Sequence, residues 1–120
     1  MAHTLWERGV ADWSAAARAD LRWLGRSAEA LREAAKQSER RLGLRDALFF
    51  SRRLPGSRRL ELYEEFRDDA AFLDIETDPY EVTVVGVQFR GEYRAFVQGR
   101  DLEDFLLFLE PAKVVVTYNG

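Results

Sequence analysis

The sequence predicts an α+β (or α/β) fold: an N-terminal helical segment, then a mixed sheet in the order three strands, helix, fourth strand. The first observation is a change of period. Before residue 57, apolar side chains recur at helical spacings, as at Leu21, Leu24 and Ala28. From Ala70 the apolar runs are rich in β-branched residues, which is typical of strands. The second observation is size: 120 residues with 47% hydrophobic content suffice for one domain with a core, or for a small domain with a helical appendage.

Residues 1–56 are predicted to form a helical arm. A helix is expected to start after Asp12, and Gly25 is expected to interrupt the apolar stripe that follows. Pro55-Gly56 is a strong turn signal at the end of this arm. Residues 57–69 are interpreted as a connecting segment that leads into the sheet.

Residues 70–120 are predicted to hold the strands. The run that contains Asp74 and the run "EVTVVGVQF" are apolar enough for strands that are buried on two faces. Arg90-Gly91 separates the second run from "EYRAFV", which predicts a hairpin. Asp101 is expected to cap a helix, and "KVVVTY" is predicted to be a fourth strand.

Composition excludes several kinds of site. The net charge of −3 predicts neither a nucleic-acid binder nor a membrane binder. There is no cysteine, which excludes disulfides, zinc-thiolate sites and cysteine nucleophiles, and the single histidine excludes a histidine-rich metal site. Any metal must therefore be held by oxygen ligands, which favours Mg²⁺ or Mn²⁺. No apolar stretch approaches the roughly 20 residues that span a bilayer, so no membrane partner and a cytoplasmic location are expected.

The stretch "FLDIETDPY" places two acids in an apolar run. Side chains two residues apart on a strand project to the same side, so Asp74 and Glu76 should share a face, with backbones about 7 Å apart. Two carboxylates at this spacing can converge on one ion, or on a pair of ions about 4 Å apart as in phosphoryl-transfer enzymes. Burial of Asp74 in the apolar run would require a cation to meet it. A solvated pair of acids at a strand end is the alternative.

A family resemblance extends over residues 66–120. "FLDIET", the hairpin, the helix "DLEDFLLFL" and the strand "VVVTYNG" together resemble the YprB-like branch of the ribonuclease-H-like superfamily, whose relatives are DEDD-type 3′-5′ exonucleases. "LWERGVADW" also looks like the back half of the helix-hairpin-helix segment that precedes the nuclease core in this family. The resemblance implies a ribonuclease-H-like sheet with strand order 3-2-1-4-5, of which this chain would supply strands one to four.

The resemblance implies a two-metal nuclease site. It assigns Asp74 to both ions, and Glu76 to one ion and to the orientation of the attacking water. Residues 117–120 look like the lead-in to the second acidic motif, whose aspartate would follow after Gly120. The third motif and the general base would also lie downstream. We therefore expect a truncated N-terminal portion of a hydrolase acting on DNA or RNA, inactive or nearly so by itself, with a fourth-strand edge that the missing part or self-association would cover.

Several other residues are candidates for contacts with nucleic acid. Residues 40–60 contain seven arginines and one acid, a local charge of +6, whereas residues 61–78 have a local charge of −7. The candidates are the arginines that flank the turn before the sheet, together with two polar residues near the acidic motifs: Arg52, Arg53, Arg58, Arg59, Thr77 and Asn119. A solvated loop that balances the acidic block is the alternative for the arginines.

Two other functions remain open from the sequence. A non-catalytic module could bind nucleic acid or a partner protein through the helical arm and the arginine turn. Its binding would be salt-sensitive and would need neither the two acids nor a divalent ion. A purely structural α+β domain with an incidental D-x-E is the third possibility.

Overall fold

The computed structural model describes residues 1–118, and these form two compact units. The first unit is Met1–Arg53 and the second begins at Leu54. The predicted arm was expected to end three residues later, at the turn of Pro55-Gly56. Each unit is described separately below.

The first unit consists of helices and short turns. Its α-helices are α1 (Ala2–Glu7), α2 (Trp13–Arg18), α3 (Ser27–Gly43) and α4 (Ala47–Arg53), with a 3-10 turn at Arg22–Leu24. The helix expected after Asp12 is confirmed, because the Asp12 carboxylate caps α2 by accepting the backbone N–H of Ala15 at 2.6 Å. The break at Gly25 is also confirmed. Gly25 has φ 56, a conformation that favours glycine, and it precedes α3.

The first unit has a small core. Val10, Ala16 and Ala35 are buried together, with Trp13 packed against them. Trp13 also stacks on Phe50 of α4, with ring centroids 5.0 Å apart. Small side chains therefore let α2 and α3 approach, while aromatic rings fill the space beside α4.

The second unit contains a four-stranded mixed sheet. A 3-10 segment (Gly56–Leu62), α5 (Tyr63–Phe66) and a 3-10 turn (Arg67–Asp69) lead into it. The strands are β1 (Ala70–Asp78), β2 (Glu81–Phe89), β3 (Glu92–Val97) and β4 (Val114–Thr117), and helix α6 (Phe105–Leu109) lies between β3 and β4 in the chain. The predicted α+β class, with three strands, a helix and a fourth strand, is confirmed.

The strand order is β3-β2-β1-β4. Strand β1 is central: it pairs antiparallel with β2 and parallel with β4, while β2 pairs antiparallel with β3. Strand β4 is at one edge of the sheet among residues 1–118. Arg90, with φ 50, and Gly91, with φ 81, form the turn of the predicted hairpin.

One face of the sheet carries the core of this unit. The buried side chains come from all three antiparallel strands: Ala71, Val85, Val87, Phe89 and Phe96. Leu102, Phe105, Phe108 and Leu109, which follow β3 in the chain, pack against them. The expectation that β1 and β2 are buried on two faces was wrong. The opposite face exposes Phe72 and Tyr93, because α6 packs on the core face. On this opposite face the Tyr63 ring of α5 lies edge-on to Phe72, with ring centroids 6.4 Å apart.

Asp101 does not cap a helix through its side chain as predicted. Its carboxylate instead accepts the backbone N–H of Val97 at 2.8 Å, which closes the turn between β3 and the residues that lead into α6. This hydrogen bond is the main reason why the pKa of Asp101 lies below its usual value, and Arg100 lowers it further.

Within residues 1–118, none of the helices combines the length and the apolar character needed to cross a bilayer.

Candidate metal centre

Asp74 and Glu76 lie on the same face of β1, as their spacing predicts. That face is the open one, because Leu73, the residue before Asp74, packs against the core on the other side. Both carboxylates are exposed. Asp74 is therefore not buried in the apolar run: its neighbours Leu73 and Ile75 alternate to the face that α6 partly covers, while Asp74 points away from it.

The two acids lie where parallel strands end. Strand β4 pairs with β1 only from Ala70↔Val114 to Leu73↔Thr117. Asp74 and Glu76 follow this pairing directly, at the carboxyl side of the two parallel strands. Ligand sites in sheets of this kind lie outside the carboxyl ends of the strands. The position is therefore suited to binding, and it leaves the carboxylates open to solvent and to an approaching ion.

A β-bulge fixes the backbone at Glu76. Glu76 pairs with Val84 and Thr77 pairs with Val82, so Thr83 is the extra residue on β2. The Thr83 hydroxyl donates to the Glu76 carbonyl oxygen at 3.1 Å, and the Thr83 carbonyl accepts the backbone N–H of Gln98 at 2.8 Å. Bulges often lie next to functional sites, where they redirect a side chain. Here the bulge holds the main chain of the second acid.

Gly86 lies directly opposite Asp74 on β2. A Cβ atom at this position would lie 2.7 Å from the Tyr93 hydroxyl and 3.4 Å from two carbons of its ring. The absence of a side chain therefore allows Tyr93, on β3, to lean across β2 toward the first acid. The sequence indicated Tyr93 only as part of the hairpin strand "EYRAFV". A lone glycine within a strand run was the available signal, because it often marks the close approach of another group.

The two carboxylates suit a hard cation but do not complete its ligand set. Carboxylate oxygens are what Mg²⁺ and Mn²⁺ prefer, and both acids are accessible on one face. Among residues 1–118, no group of three or more acidic, histidine or cysteine side chains could hold a metal ion. Water, a phosphate or groups outside these residues would therefore have to complete the coordination of an ion bound here.

Arg53 and Arg58, two of the four candidate arginines, make local contacts. Arg58 makes a two-pronged ion pair with Glu61, at 2.8 and 3.0 Å, which raises the pKa of Arg58 and lowers that of Glu61. In the first unit, the guanidinium of Arg53 lies 3.9 Å from the centroid of the Phe49 ring. The ion pair with Glu61 offsets one of the positive charges that the sequence places before the sheet, whereas the contact of Arg53 with Phe49 leaves its charge in place.

The remaining candidates lie in three places. Arg52 is an exposed residue of α4, and Arg59 belongs to the 3-10 segment of the second unit. Thr77 follows Glu76 on β1 and is exposed. Asn119 lies outside the described residues. Of all the predicted site residues, Asp74, Glu76 and Thr77 are neighbours on one strand.

Comparisons with known protein families, with curated proteins and with solved structures found no match. The ribonuclease-H-like resemblance thus rests on the motifs "FLDIET" and "VVVTYNG". It stays a prediction.

Proposed function

We propose that this chain carries the first two ligands of an Mg²⁺- or Mn²⁺-dependent nuclease centre that hydrolyses phosphodiester bonds, as a 3′-5′ exonuclease. The observation that carries the proposal is the exposed, same-face pair Asp74 and Glu76 at the carboxyl end of the parallel strands β1 and β4. The strand order β3-β2-β1-β4 supports it, because it equals the order that the family resemblance implies for strands one to four.

In this proposal, Asp74 and Glu76 would bind the metal ions and orient a water molecule. Asp74 lies nearer the end of the pairing with β4, and its carboxylate would hold the ion or ions. Glu76, whose carbonyl oxygen accepts the Thr83 hydroxyl, would hold one ion and a water molecule from a fixed position on the strand. The bound metal would supply Lewis acidity and a hydroxide at neutral pH.

Metal binding is the direct test of this proposal. The chain is titrated with Mn²⁺, and free Mn²⁺ is detected by its electron paramagnetic resonance signal. Binding should be weak, with a Kd of roughly 1 mM, as expected for a site with few charged ligands. Asp74→Asn should abolish this binding, and Glu76→Gln should weaken it. Asp104→Asn, which removes an exposed acid of the turn before α6, is the matched control and should bind Mn²⁺ as the parent chain does.

Hydrolysis of a labelled single-stranded oligonucleotide is the second readout. The chain by itself should cleave at or near background, because two carboxylates leave the coordination incomplete. Mn²⁺ binding that persists in Asp74→Asn, or strong cleavage that survives this substitution, would remove the metal-site assignment. Salt-sensitive binding of the oligonucleotide that needs neither acid nor a divalent ion would support the non-catalytic binding module instead.

A further inference from the structure

A row of three side chains crosses the open face of the sheet beside the acidic pair. Phe72 on β1 pairs with Gln88 on β2, and Gln88 pairs with Tyr93 on β3, so the three side chains lie on the same face. All three are exposed: Phe72 retains 43% and Tyr93 66% of the accessible surface. Because neighbouring strands lie about 4.8 Å apart, the two aromatic side chains start about 10 Å from each other, with an amide between them.

The aromatic row is continuous with the acidic pair. Phe72 precedes Asp74 by two residues on β1, so their backbones are about 7 Å apart on the same face. At the other end of the row, Tyr93 leans over Gly86, the residue directly opposite Asp74. Two rings therefore flank the route by which a substrate would reach the carboxylates from the open face.

We propose that Phe72, Gln88 and Tyr93 form a stacking platform for the bases of a single-stranded nucleic acid, which presents a phosphate to the Asp74 and Glu76 carboxylates. This inference rests on the proposed function and names its substrate as single-stranded. Exposed aromatic rings on a sheet stack unpaired bases without regard to sequence, because every base has a π-face. The Gln88 amide lies between them and can donate to or accept from a base edge.

The charges around the platform favour a metal-dependent mode of binding. An open depression of about 700 Å³ adjoins the row, lined by Phe72 and Gln88 together with Arg67 and Arg90. Arg67 pairs with Glu64 at 3.2 Å and Arg90 pairs with Asp69 at 2.8 Å, so acids partly neutralise both cations. The platform therefore supplies stacking, while a divalent ion on the carboxylates supplies most of the attraction for phosphate.

A duplex does not fit this arrangement. Its bases are stacked on each other and paired, so neither ring can reach a base face without unpairing it. The platform should consequently select single strands or frayed ends over duplexes.

Two labelled probes of equal charge test the platform. One is an octamer of thymidylate and the other is an octamer with the same phosphates but no bases. In buffer with Mn²⁺, fluorescence anisotropy should show tighter binding of the thymidylate octamer, by about fivefold or more, because each stacked base contributes between about fivefold and about 150-fold. Equal affinity for the two probes would overturn the proposal, since phosphate contacts alone would then account for binding.

Substitutions in the platform test whether Tyr93 is responsible for the tighter binding of the thymidylate octamer. Tyr93→Leu should weaken binding of the thymidylate octamer by about fivefold or more, while Tyr93→Phe, which keeps the ring, should bind within about twofold of the parent. Tyr80→Leu is the matched control, because Tyr80 is a tyrosine with 98% of its surface exposed, in the turn between β1 and β2. Binding that is insensitive to Tyr93→Leu, or equally sensitive to Tyr80→Leu, would overturn the proposal.

Mn²⁺ binding without an oligonucleotide keeps the two proposals apart. If Mn²⁺ binding depends on Asp74 but the two octamers bind equally, the platform is wrong and the metal centre stands. If Mn²⁺ does not bind while the thymidylate octamer still binds through Tyr93, base stacking on the platform stands, whereas the metal centre and the presentation of a phosphate to the two carboxylates are wrong. Circular dichroism of Tyr93→Leu and Tyr80→Leu checks that the sheet is retained in both variants.

Discussion

Gly86 offers the sharpest test of how the open face of the sheet is built. Substitution by alanine adds one methyl group on the face that Tyr93 covers. This atom would lie 2.7 Å from the Tyr93 hydroxyl, so the hydroxyl must retreat by about 0.7 Å to reach 3.4 Å, where ordinary contact begins. The backbone itself accepts alanine, because Gly86 is not among the glycines with positive φ.

The expected change in the free energy of unfolding is the sum of two opposing terms. Replacement of glycine by alanine reduces the entropy of the unfolded chain and should stabilise the fold by about 0.4 to 1 kcal/mol. Displacing the exposed Tyr93 ring from its preferred rotamer should cost about 0.5 to 1.5 kcal/mol. Gly86→Ala alone should therefore change stability by less than about 1 kcal/mol in either direction.

A double-mutant cycle separates the two terms. Urea unfolding is measured for the parent chain, Gly86→Ala, Tyr93→Ala and the double variant. In the Tyr93→Ala background the clash is absent, so Gly86→Ala should show the whole stabilisation, and the coupling energy should equal the ring displacement of about 0.5 to 1.5 kcal/mol. Coupling near zero would show that Gly86 does not make room for Tyr93, and the argument that Tyr93 leans toward Asp74 would fail.

Three further outcomes follow from the packing, the capping and the charges. Phe96→Ala, in the sheet core, should lower the free energy of unfolding by about 3 to 5 kcal/mol in urea unfolding, whereas Phe72→Ala, on the open face, should cost clearly less. Asp12→Ala should destabilise α2 by about 1 kcal/mol while Asp12→Ser should not, as measured by the loss of helical circular dichroism on heating. The hydrogen bond from the Val97 N–H lowers the pKa of the Asp101 carboxyl in the folded chain. The ionised carboxylate therefore stabilises the fold above the unfolded-state pKa of about 3.9, and this stabilisation is lost as pH falls through the lower pKa of the folded state. Asp101→Asn should reduce the drop in melting temperature that acid causes.

Local patterns were sufficient to predict the elements of the second unit and the face shared by its two acids. The β-branched runs and the turn at Arg90-Gly91 indicated the hairpin, and the period of two placed Asp74 and Glu76 on one side of β1. These features depend on residues close in sequence. The α+β class followed from the same patterns.

Local patterns could not predict features that depend on pairing between distant residues; the strand order was expected only through the family resemblance. Apolar side chains on both sides of β1 suggested burial on two faces, but the structure shows that α6 packs on one face alone. The approach of Tyr93 to Gly86 depends on the register between β2 and β3, and the bulge at Thr83 depends on the register between β1 and β2. The prediction for Asp101 failed for a local reason: its carboxylate accepts the backbone N–H of Val97, four residues earlier, instead of capping a helix.

The bulge at Thr83 also bears on how faithfully the hairpin folds. If β1 paired with β2 one residue out of register, Asp74 and Glu76 would point toward Phe105 and Phe108, and the neighbouring apolar side chains would point to water. Burial of two carboxylates against aromatic rings is costly, so the acids themselves penalise the slipped pairing. The two acids proposed to bind metal would then have a second role. During folding, before any ion binds, they would disfavour pairing of β1 with β2 in the wrong register.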